Sequence, residues 1–270
     1  MLLSSELIGY PAGSRVLIVN CDDFGMSDTV NAAVLRAVEE GIATSCSLMV
    51  PCPGAMPAMA LLRDRPHLPF GIHLTLVCDT GDRRWGPLTK PERVPSLLDD
   101  DGALVTPDRT AELLARARID EVETEFRGQI NAVVEAGLKP THLDWHCLAD
   151  GGRDDIFELT LALADEYGLA IRAWLEPARR QARRVNRPAV DHPFLDSFAL
   201  EISGKHARYA EMLRSLPAGL SEWAVHPGAA GDPGGDVRRT DLEFLISAEA
   251  REIVRSEGII LLDYRFAPPS

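Results

Sequence analysis

The chain has 270 residues, of which 46% are apolar, an ordinary share for a globular protein with a sizeable core. It carries 28 Lys and Arg against 41 Asp and Glu, so its formal net charge is -13. Such a surface repels phosphate backbones, so we expect no nucleic-acid partner, whereas a neutral substrate such as a sugar is compatible with it.

The first predicted elements alternate between strand and helix. An apolar run at 15–20 predicts a buried strand, and Ser27 is placed to cap a helix that Gly41 closes. The next predicted elements are a strand at 44–50, a helix at 57–63 and a strand at 70–77. This order is typical of parallel strands joined by helices.

The segment at 78–110 interrupts the alternation with glycines, prolines and the acidic residues at 99–101. A loop of this length in a compact domain is usually functional or disordered. No internal repeat or change of composition marks a second domain. We therefore predict a single catalytic domain over 1–270 that carries an inserted loop at about 78–110.

Beyond the insertion, helices and strands alternate again. The predicted helices lie at 119–136, 154–167, 205–216 and 242–257, and the predicted strands at 141–147, 169–175, 222–225 and 259–264. No element is predicted for 179–196, which is first basic and then interrupted by prolines. The pattern favours an α/β fold, a single-domain distorted β/α barrel of the TIM type with mostly parallel strands. An open doubly wound sheet is the alternative.

Polar residues gather where four predicted strands end. Asp22 and Asp23 follow the first strand, His73 lies near the end of the third, and His146 and His226 close two later strands. Function gathers at the carboxyl ends of strands in both parallel architectures. Each residue alone has an ordinary structural explanation, but the four clusters together predict an active site.

Asp22 and Asp23 are adjacent carboxylates directly after a buried strand. A turn or a helix cap is the simplest explanation of such a pair. However, two buried carboxylates require compensation, which a metal ion would supply. Because adjacent side chains point in different directions, one carboxylate can bind the ion while the other contacts its bound water.

The strand at 141–147 carries His142, Asp144 and His146 on one face. At about 3.3 Å per residue, His142 and His146 lie roughly 13 Å apart, so one ion cannot easily hold both. His146 is nearer the carboxyl end and is the better ligand. We interpret His142 and Asp144 as residues that support a ligand or the fold.

Five motifs, in this order, resemble those of the YdjC/ChbG-type carbohydrate deacetylases. They are VNCDDFGMS at 19–27, GIATS at 41–45, GIHLTL at 71–76, PTHLDWH at 140–146 and HPG at 226–228. The first and fourth are quite specific, whereas the last is weak alone. The resemblance covers nearly the whole chain, from 15 to 264.

This resemblance implies a β/α-barrel-like fold and hydrolysis of an N-acetyl group from an amino sugar. Carried over by motif, Asp23, His73 and His146 hold one divalent metal ion. By analogy with the wider polysaccharide deacetylases, Asp22 is the general base and His226 the general acid. Ligand softness favours zinc, and the resemblance also admits magnesium, so both metals stay open.

One segment departs from the family pattern. The family usually continues the fourth of these motifs with further histidines, whereas here Cys147 follows His146. The absent histidines are expected to line the substrate groove. The identity and the length of the sugar therefore stay open, although the metal set is intact.

Three residues are candidates for binding the sugar: Trp85, Trp145 and Arg172. Trp85 lies in the inserted loop, which we predict to form a lid or wall over the metal, and its indole can stack on a pyranose ring. The alternative is an ordinary surface loop in which Trp85 packs against the rest of the domain. Trp145 is a competing platform, although strand alternation turns it away from the metal face.

Two histidines and one carboxylate leave positions open for water and substrate, as in catalytic sites. We predict a metal-dependent hydrolase that removes an N-acetyl group from an amino sugar or a short oligosaccharide. Another metal-dependent amide or ester hydrolase, and a non-catalytic sugar-binding protein, are the alternatives. Asp22 and His226 argue against the last, because binding alone needs neither a base nor an acid.

The expected surroundings follow from what the chain lacks. No apolar run approaches the roughly 18 residues that span a bilayer, and the amino-terminal residues do not resemble a secretion signal. The five cysteines form no C-x-x-C pair, which is typical of reduced thiols. We expect a cytoplasmic protein without a membrane partner, and a homodimer is left open.

Overall fold

A computed structural model describes residues 2–79, 84–193 and 195–266. Its sheet has eight strands, which pair in parallel in the order β5-β4-β3-β2-β1-β7-β6, and β8 pairs with β1. The strands are β1 Arg15–Phe24, β2 Ser45–Leu48, β3 Phe70–Leu74, β4 His142–Trp145, β5 Ala170–Ile171, β6 Leu195–Asp196, β7 Gly219–Val225 and β8 Ile260–Leu261.

Helices connect these strands. They are α1 Ser4–Leu7, α2 Asp28–Glu40, α3 Ala55–Arg63, α4 Thr110–Arg116, α5 Ile119–Glu135, α6 Asp154–Tyr167, α7 Glu176–Arg184, α8 Lys205–Arg214, α9 Gly235–Leu245 and α10 Ala248–Ser256. Short 3₁₀ turns occupy Pro91–Arg93, Pro95–Leu97, Pro107–Arg109, Ala149–Gly152 and Ser197–Ala199. Within the described ranges, no helix is both long and apolar enough to cross a membrane.

The entry into α2 shows how local sequence sets these boundaries. The Ser27 side chain accepts a hydrogen bond from the Val30 N–H at 3.2 Å, as an N-cap residue does. Gly41 closes the helix in an extended conformation. The predicted cap and stop are therefore confirmed.

The sheet curls into an incomplete barrel. Arg172, just after β5 at one edge, reaches Glu222 of β7 and Asp22 of β1, with both contacts at 2.8 Å. These strands lie far apart in the sheet order, so the inner face must be strongly curved. In the described part of the chain, β5 and β6 do not pair with each other. The distorted β/α barrel is confirmed, and the open doubly wound sheet is wrong.

Two apolar layers flank the strands. The larger one lies between the sheet and the helices and includes Leu17, Val19 and Cys21 of β1. A smaller one contains Val16 and Ile18, which alternate with those residues. Because strand side chains alternate, Asn20 and Asp22 continue the second face toward the carboxyl end. The barrel interior is therefore apolar at one end and polar at the other.

Several predicted boundaries need correction. β1 runs to Phe24, so the two adjacent aspartates lie within a strand rather than after it. The strand predicted at 169–175 is reduced to Ala170–Ile171 because the N–H groups of Trp174 and Leu175 donate to Asp150 instead of to a neighbouring strand.

Two segments for which the sequence predicted no regular element contain short ones. The range 179–196, for which no element was predicted, holds the end of α7 and all of β6. The range 78–110 contains three of the 3₁₀ turns, and Cys78 N–H donates to the Val105 carbonyl at 2.8 Å. Part of it, 80–83, lies outside the described residues. The division of the chain into one domain with an insertion stays a prediction.

Candidate metal centre and active site

A bulge in β1 shapes the centre. The register between β1 and β2 shifts between Cys21 and Phe24, and Asp23 has a φ of 68°. This left-handed conformation is uncommon outside glycine, although Asp tolerates it better than most residues. The bulge breaks the alternation of the strand, so Asp22 and Asp23 both lie at the carboxyl mouth of the barrel.

The structure brings the three predicted metal ligands together. Asp23 Oδ1 lies 3.1 Å from His146 Nδ1 and 3.5 Å from His73 Nε2. One ligand atom from each residue lies within 4.8 Å of the other two, and all three side chains are buried. This donor set fits a divalent ion that binds nitrogen and oxygen. That these residues hold a metal stays a prediction.

Asp144 orients His73. His73 Nδ1 lies 2.8 Å from Asp144 Oδ1, so its N–H donates to the carboxylate and the opposite nitrogen, Nε2, faces Asp23. Burial lowers the pKa of His73, but the charges of Asp144 and Asp22 outweigh it and raise that pKa to about 9. A carboxylate behind a histidine ligand is a common arrangement at metal sites.

Arg172 lies inside the barrel. Its Nη1 and Nη2 atoms donate to the two oxygens of Asp22 at 2.8 Å each, and Nη2 lies 3.0 Å from Asp144 Oδ2. Nε donates to Glu222 at 2.8 Å. Arg172 is only 3% exposed and its donors face carboxylates, so it forms part of the floor of the cavity over the centre. That Arg172 binds the sugar stays a prediction.

A second trio of possible ligands is less suited to an ion. Ligand atoms of Asp22, His73 and Asp144 also lie within 4.8 Å of one another. However, Arg172 bridges the two aspartates of this trio. Arg172 occupies both oxygens of Asp22, whereas Asp23 keeps Oδ1 directed at the two histidines, so Asp23 is the better carboxylate ligand.

Arg238, which sequence reasoning missed, binds the other oxygen of Asp23. Its Nη2 atom donates to Asp23 Oδ2 at 2.6 Å, and the side chain is buried. The adjacent Arg239 is exposed and pairs with Glu243. Two adjacent arginines near the start of α9 thus differ in the face of the helix that they occupy. No sequence motif identifies Arg238 as the buried one.

With its histidines neutral, as metal ligands must be, the centre has an excess of negative charge. Burial raises the pKa of Asp22, Asp23 and Asp144, but the neighbouring guanidinium and imidazole groups together outweigh it and lower the pKa. These groups are Arg172 and His73 for Asp22 and Asp144, and Arg238, His146 and His73 for Asp23. Three ionised carboxylates therefore face two guanidinium groups. This balance suits a dication better than an additional anion.

His226 completes the mouth of the barrel. It follows β7, and its Nε2 atom lies 3.9 Å from Asp22 Oδ2. Ser197 Oγ lies 2.8 Å from the opposite nitrogen, Nδ1. The predicted base and acid are therefore near neighbours, on the same side of the three predicted ligands. Their catalytic roles stay predictions.

His142 is remote from this mouth. Its ring stacks on Tyr264 with the centroids 3.7 Å apart, and its Nδ1 lies 2.9 Å from Thr141 Oγ1. Gly71 lies against the imidazole so closely that a Cβ there would be 2.5 Å from the ring. His142 is thus part of the barrel packing, as the spacing along the strand indicated.

A cavity of about 390 Å³ opens over the centre. Its lining joins the predicted ligands and the acid–base pair to side chains that sequence reasoning did not select, among them Asp79, Cys147, Trp174 and Phe198. Phe198 is 45% exposed and lies edge-on to His226. These aromatic residues stand in segments that carry no motif, so only their position identifies them.

Two predicted sugar-binding tryptophans are largely buried. Trp145 lines the cavity but packs on Phe157, with the centroids 5.8 Å apart. The centroid of the Trp85 ring lies 6.2 Å from that of the His146 ring, and Trp85 also lines a neighbouring cavity of about 430 Å³. The loop around Trp85 thus forms a wall beside the centre. Neither residue's contact with a sugar is tested by these positions.

The fold and the site together define a β/α-barrel protein with an Asp–His centre at the carboxyl mouth. The sequence matches the family model described as YdjC-like protein over residues 16–256. The chain therefore belongs to the YdjC-like family, as the five motifs indicated.

Individual relatives are similar over most of their length. A carbohydrate deacetylase of Brevibacillus brevis is 32% identical over 259 residues, which cover 92% of this chain and 98% of that protein. A chitooligosaccharide deacetylase of Serratia marcescens is 30% identical over 216 residues, or 79% of this chain and 81% of that protein.

A solved structure shares the fold. It is a crystal structure from Enterococcus faecalis described as a cellobiose-phosphate cleavage protein, 26% identical, with a TM-score of 0.80. The match covers 94% of this chain and 100% of that chain. The fold of most of this chain is therefore common to both proteins.

Proposed function

We propose that this chain is a metal-dependent deacetylase that removes the N-acetyl group of an amino sugar or a short oligosaccharide. One observation supports this most strongly: Asp22 and His226 approach to 3.9 Å beside the converging ligand atoms of Asp23, His73 and His146. The named activities of the two sequence relatives agree with it.

The metal centre would supply one part of the chemistry. A divalent ion held by Asp23, His73 and His146 would polarise the acetyl carbonyl and lower the pKa of water. The structure suits zinc through its two imidazoles, and magnesium stays open. Asp144 and Arg238 would fix the orientation of His73 and Asp23 through the hydrogen bonds described above.

Asp22 would accept the proton of the attacking water. The charge of Arg172 keeps its pKa below the usual range despite burial, so the carboxylate is ionised at neutral pH and able to act as a base. Arg172 holds both of its oxygens, which limits rotation of the side chain. We therefore reassign Arg172 from the sugar to the positioning of Asp22.

His226 would donate a proton to the departing amine. An amine is a poor leaving group unless it is protonated, so the reaction needs an acid beside the departing nitrogen. His226 Nε2 faces the cavity and Asp22, while Nδ1 is held by Ser197. The imidazole thus has one nitrogen, Nε2, that is placed to react and another, Nδ1, that Ser197 holds in position.

The experiment is acetate release from N-acetylglucosamine and its short oligomers, before and after metal removal and restoration. We expect activity that disappears with chelation and returns with metal. Asp22→Asn should lower turnover about 10²-fold or more while metal content persists, whereas Asp23→Asn should lose both. Metal-dependent hydrolysis of other amides or esters, with none of these sugars, would favour the alternative hydrolase. Sugar binding without any hydrolysis would favour the binding protein.

Trp85 provides a separate prediction for substrate binding. If its wall borders the bound sugar, Trp85→Ala should raise KM or lower kcat/KM without loss of metal or fold. Trp223→Ala is unsuitable as a control because Trp223 lies in the core. Phe198 is exposed at the mouth of the barrel, so Phe198→Ala tests a second aromatic position in the same way. Unchanged kinetics for Trp85→Ala would exclude this wall from the sugar site.

A further inference from the structure

A second cavity adjoins the one over the centre. Its volume is about 340 Å³, close to the 390 Å³ of the central cavity, and Cys147 and Ala149 line both. The segments 107–110 and 174–175 also contribute residues to each of the two cavities. The two cavities are therefore successive parts of one groove that passes over Cys147. We call the second one the Gln181 cavity, after a residue of its wall.

Asp150 joins two walls of this groove. It lies in the 3₁₀ turn Ala149–Gly152 with a φ of 49°. Its carboxylate oxygens accept the backbone N–H groups of Trp174 and Leu175 at 2.7 and 2.6 Å. The side chain is buried, and each of its oxygens has a main-chain partner. The groove is thus held in shape by contacts within the protein, as is usual for ligand sites that exist before binding.

The lining of the Gln181 cavity suits an uncharged sugar ring. Most of its wall is apolar and is formed by Leu114, Leu148, Phe157, Leu175, Pro177 and Ala178. The Gln181 amide has no hydrogen-bond partner within the described ranges, and it can both donate to and accept from hydroxyl groups. The Arg153 guanidinium is occupied by both oxygens of Asp155 and by the Leu114 carbonyl. An anion would be repelled by Asp154 and would meet no unpaired cation among the described residues of the wall.

The cavity beside Trp85 is not continuous with the central one. It has a volume of about 430 Å³, and none of the residues that the structure describes lines both of these cavities. The Trp85 ring lies with its centroid 6.2 Å from that of His146, a residue of the central wall, so the indole helps to separate the two. A chain of sugar units that starts over the centre can therefore continue into the Gln181 cavity more directly than past Trp85.

We propose that the Gln181 cavity binds the sugar unit next to the one that is deacetylated, so that an uncharged disaccharide is a better substrate than a single amino sugar. The inference rests on the proposed function, which places the acetylated unit over the centre. Contacts with a second unit are made both before and during the reaction, so they should lower KM more than they raise kcat. Gln181 is thus a residue that determines the preferred length of the substrate.

The matched variants are Gln181→Phe and Arg180→Phe, at adjacent positions of α7. The first removes the amide and fills part of the cavity with a ring. The second places the same ring on the outer face of the helix, since the Arg180 side chain is 62% exposed and does not line the cavity. Arg180 loses only a 3.8 Å contact with the exposed Glu176, which contributes little to stability. The comparison thus separates the cavity from a general effect of phenylalanine in this helix.

The first test compares the initial rate of acetate release from N-acetylglucosamine with that from its disaccharide. In the unmodified protein and in Arg180→Phe, we expect kcat/KM to be about tenfold or more higher for the disaccharide. In Gln181→Phe this preference should disappear. Gln181→Ala keeps the cavity but removes the amide, so it should reduce the preference, and it serves as the second variant if Gln181→Phe does not fold.

Binding provides a readout that does not depend on turnover. In Asp22→Asn with zinc or magnesium added, calorimetric titration should give a Kd for the disaccharide that rises about tenfold or more when Gln181→Phe is combined with it. A disaccharide preference that is equal in Gln181→Phe and Arg180→Phe, or absent from the unmodified protein, would overturn the proposal. If no sugar is deacetylated but the disaccharide binds and Gln181→Phe weakens its binding, the Gln181 cavity remains a sugar site and the proposed function fails.

Discussion

Asp22 and Asp23 are neighbours in the chain but are held by different cations. Arg172 binds both oxygens of Asp22, whereas Arg238 binds one oxygen of Asp23 and leaves Oδ1 facing His73 and His146. A carboxylate whose two oxygens are both bound by a guanidinium is held in one orientation, which suits a general base. A carboxylate with one oxygen directed at two histidines is placed to be a metal ligand. The partner of each aspartate thus separates their proposed roles.

The Asp22–Arg172 pair predicts a shift in the pH profile. Because Arg172 lowers the pKa of Asp22, Arg172→Met should raise it, and the acidic limb of kcat/KM should move to higher pH by about 1 to 3 units. Arg172→Lys keeps one charge and should shift less. The profile is measured with saturating metal, after both variants have been shown to be folded. An acidic limb that stays in place would remove Arg172 from the control of Asp22.

The Asp144–His73 pair predicts how metal affinity depends on pH. With a pKa raised to about 9 in the metal-free protein, His73 is protonated at neutral pH and must lose that proton to bind an ion. Affinity should therefore fall as pH falls below about 9, by up to about tenfold per pH unit for each displaced proton. Competition with a chelator dye at several pH values measures this.

Asp144→Asn tests the cause of that dependence. Without the carboxylate the pKa of His73 should be lower, so the fall in affinity should begin at lower pH. Glu222→Gln is the matched control, since Glu222 is a buried carboxylate bound to Arg172 and not to His73. Identical pH dependence in Asp144→Asn and the unmodified protein would show that another group is titrating.

At the scale of elements, the strands do more than support the site. The bulge in β1 turns two successive carboxylates toward one mouth, and the short β5 lets the next residue, Arg172, enter the barrel. Asp150 ends β5 by accepting the N–H groups of Trp174 and Leu175. Local departures from regular strand geometry therefore place the functional groups.

The contact between β3 and β4 gives a prediction about stability. Gly71→Ala would place a Cβ 2.5 Å from the imidazole of His142, which is stacked on Tyr264 and has little room to move. We expect a loss of about 1 to 3 kcal/mol in the free energy of unfolding, as for other overpacked cores. Denaturant titration measures it.

Gly231→Ala is the control for that experiment. Nothing lies within 4 Å of a Cβ added at Gly231, so its free energy of unfolding should change by less than about 0.5 kcal/mol. If Gly71→Ala is equally neutral, the stacked histidine does not have the tight packing described.

For the whole molecule, the predicted ion would join segments that are distant in the chain. Asp23 lies in β1, His73 in β3 and His146 just after β4. An ion that binds all three must bind the folded chain in preference to the unfolded one. Metal binding and the stability of the barrel are therefore linked.

That linkage predicts a change in Tm. At a free metal concentration of about 100 times Kd, the free energy of unfolding should rise by about 2.7 kcal/mol. For a chain of this size the corresponding rise in Tm is roughly 5 to 10 °C. Calorimetry with and without zinc or magnesium measures it. Asp22→Asn should keep the rise and Asp23→Asn should abolish it; the same rise in both would place the ion elsewhere.

The sequence by itself determined the class of fold and the residues of the mouth. Apolar runs alternating with amphipathic segments indicate parallel strands and helices, and the clusters around Asp22, His73, His146 and His226 stand at strand ends because that edge of a parallel sheet is shared. Motifs of a few residues record such local placement well. The predicted metal trio takes one residue from each of three such motifs.

Only the tertiary structure decided which side chains surround that trio. Arg172 is 150 residues from Asp22, Arg238 is 215 residues from Asp23, and Ser197 is 29 residues from His226, whose Nδ1 it contacts. Periodicity reports which face of an element is buried, but not what the buried face meets. Pairings between buried charges depend on the curvature of the sheet and the bulge in β1, and neither leaves a local pattern in the sequence.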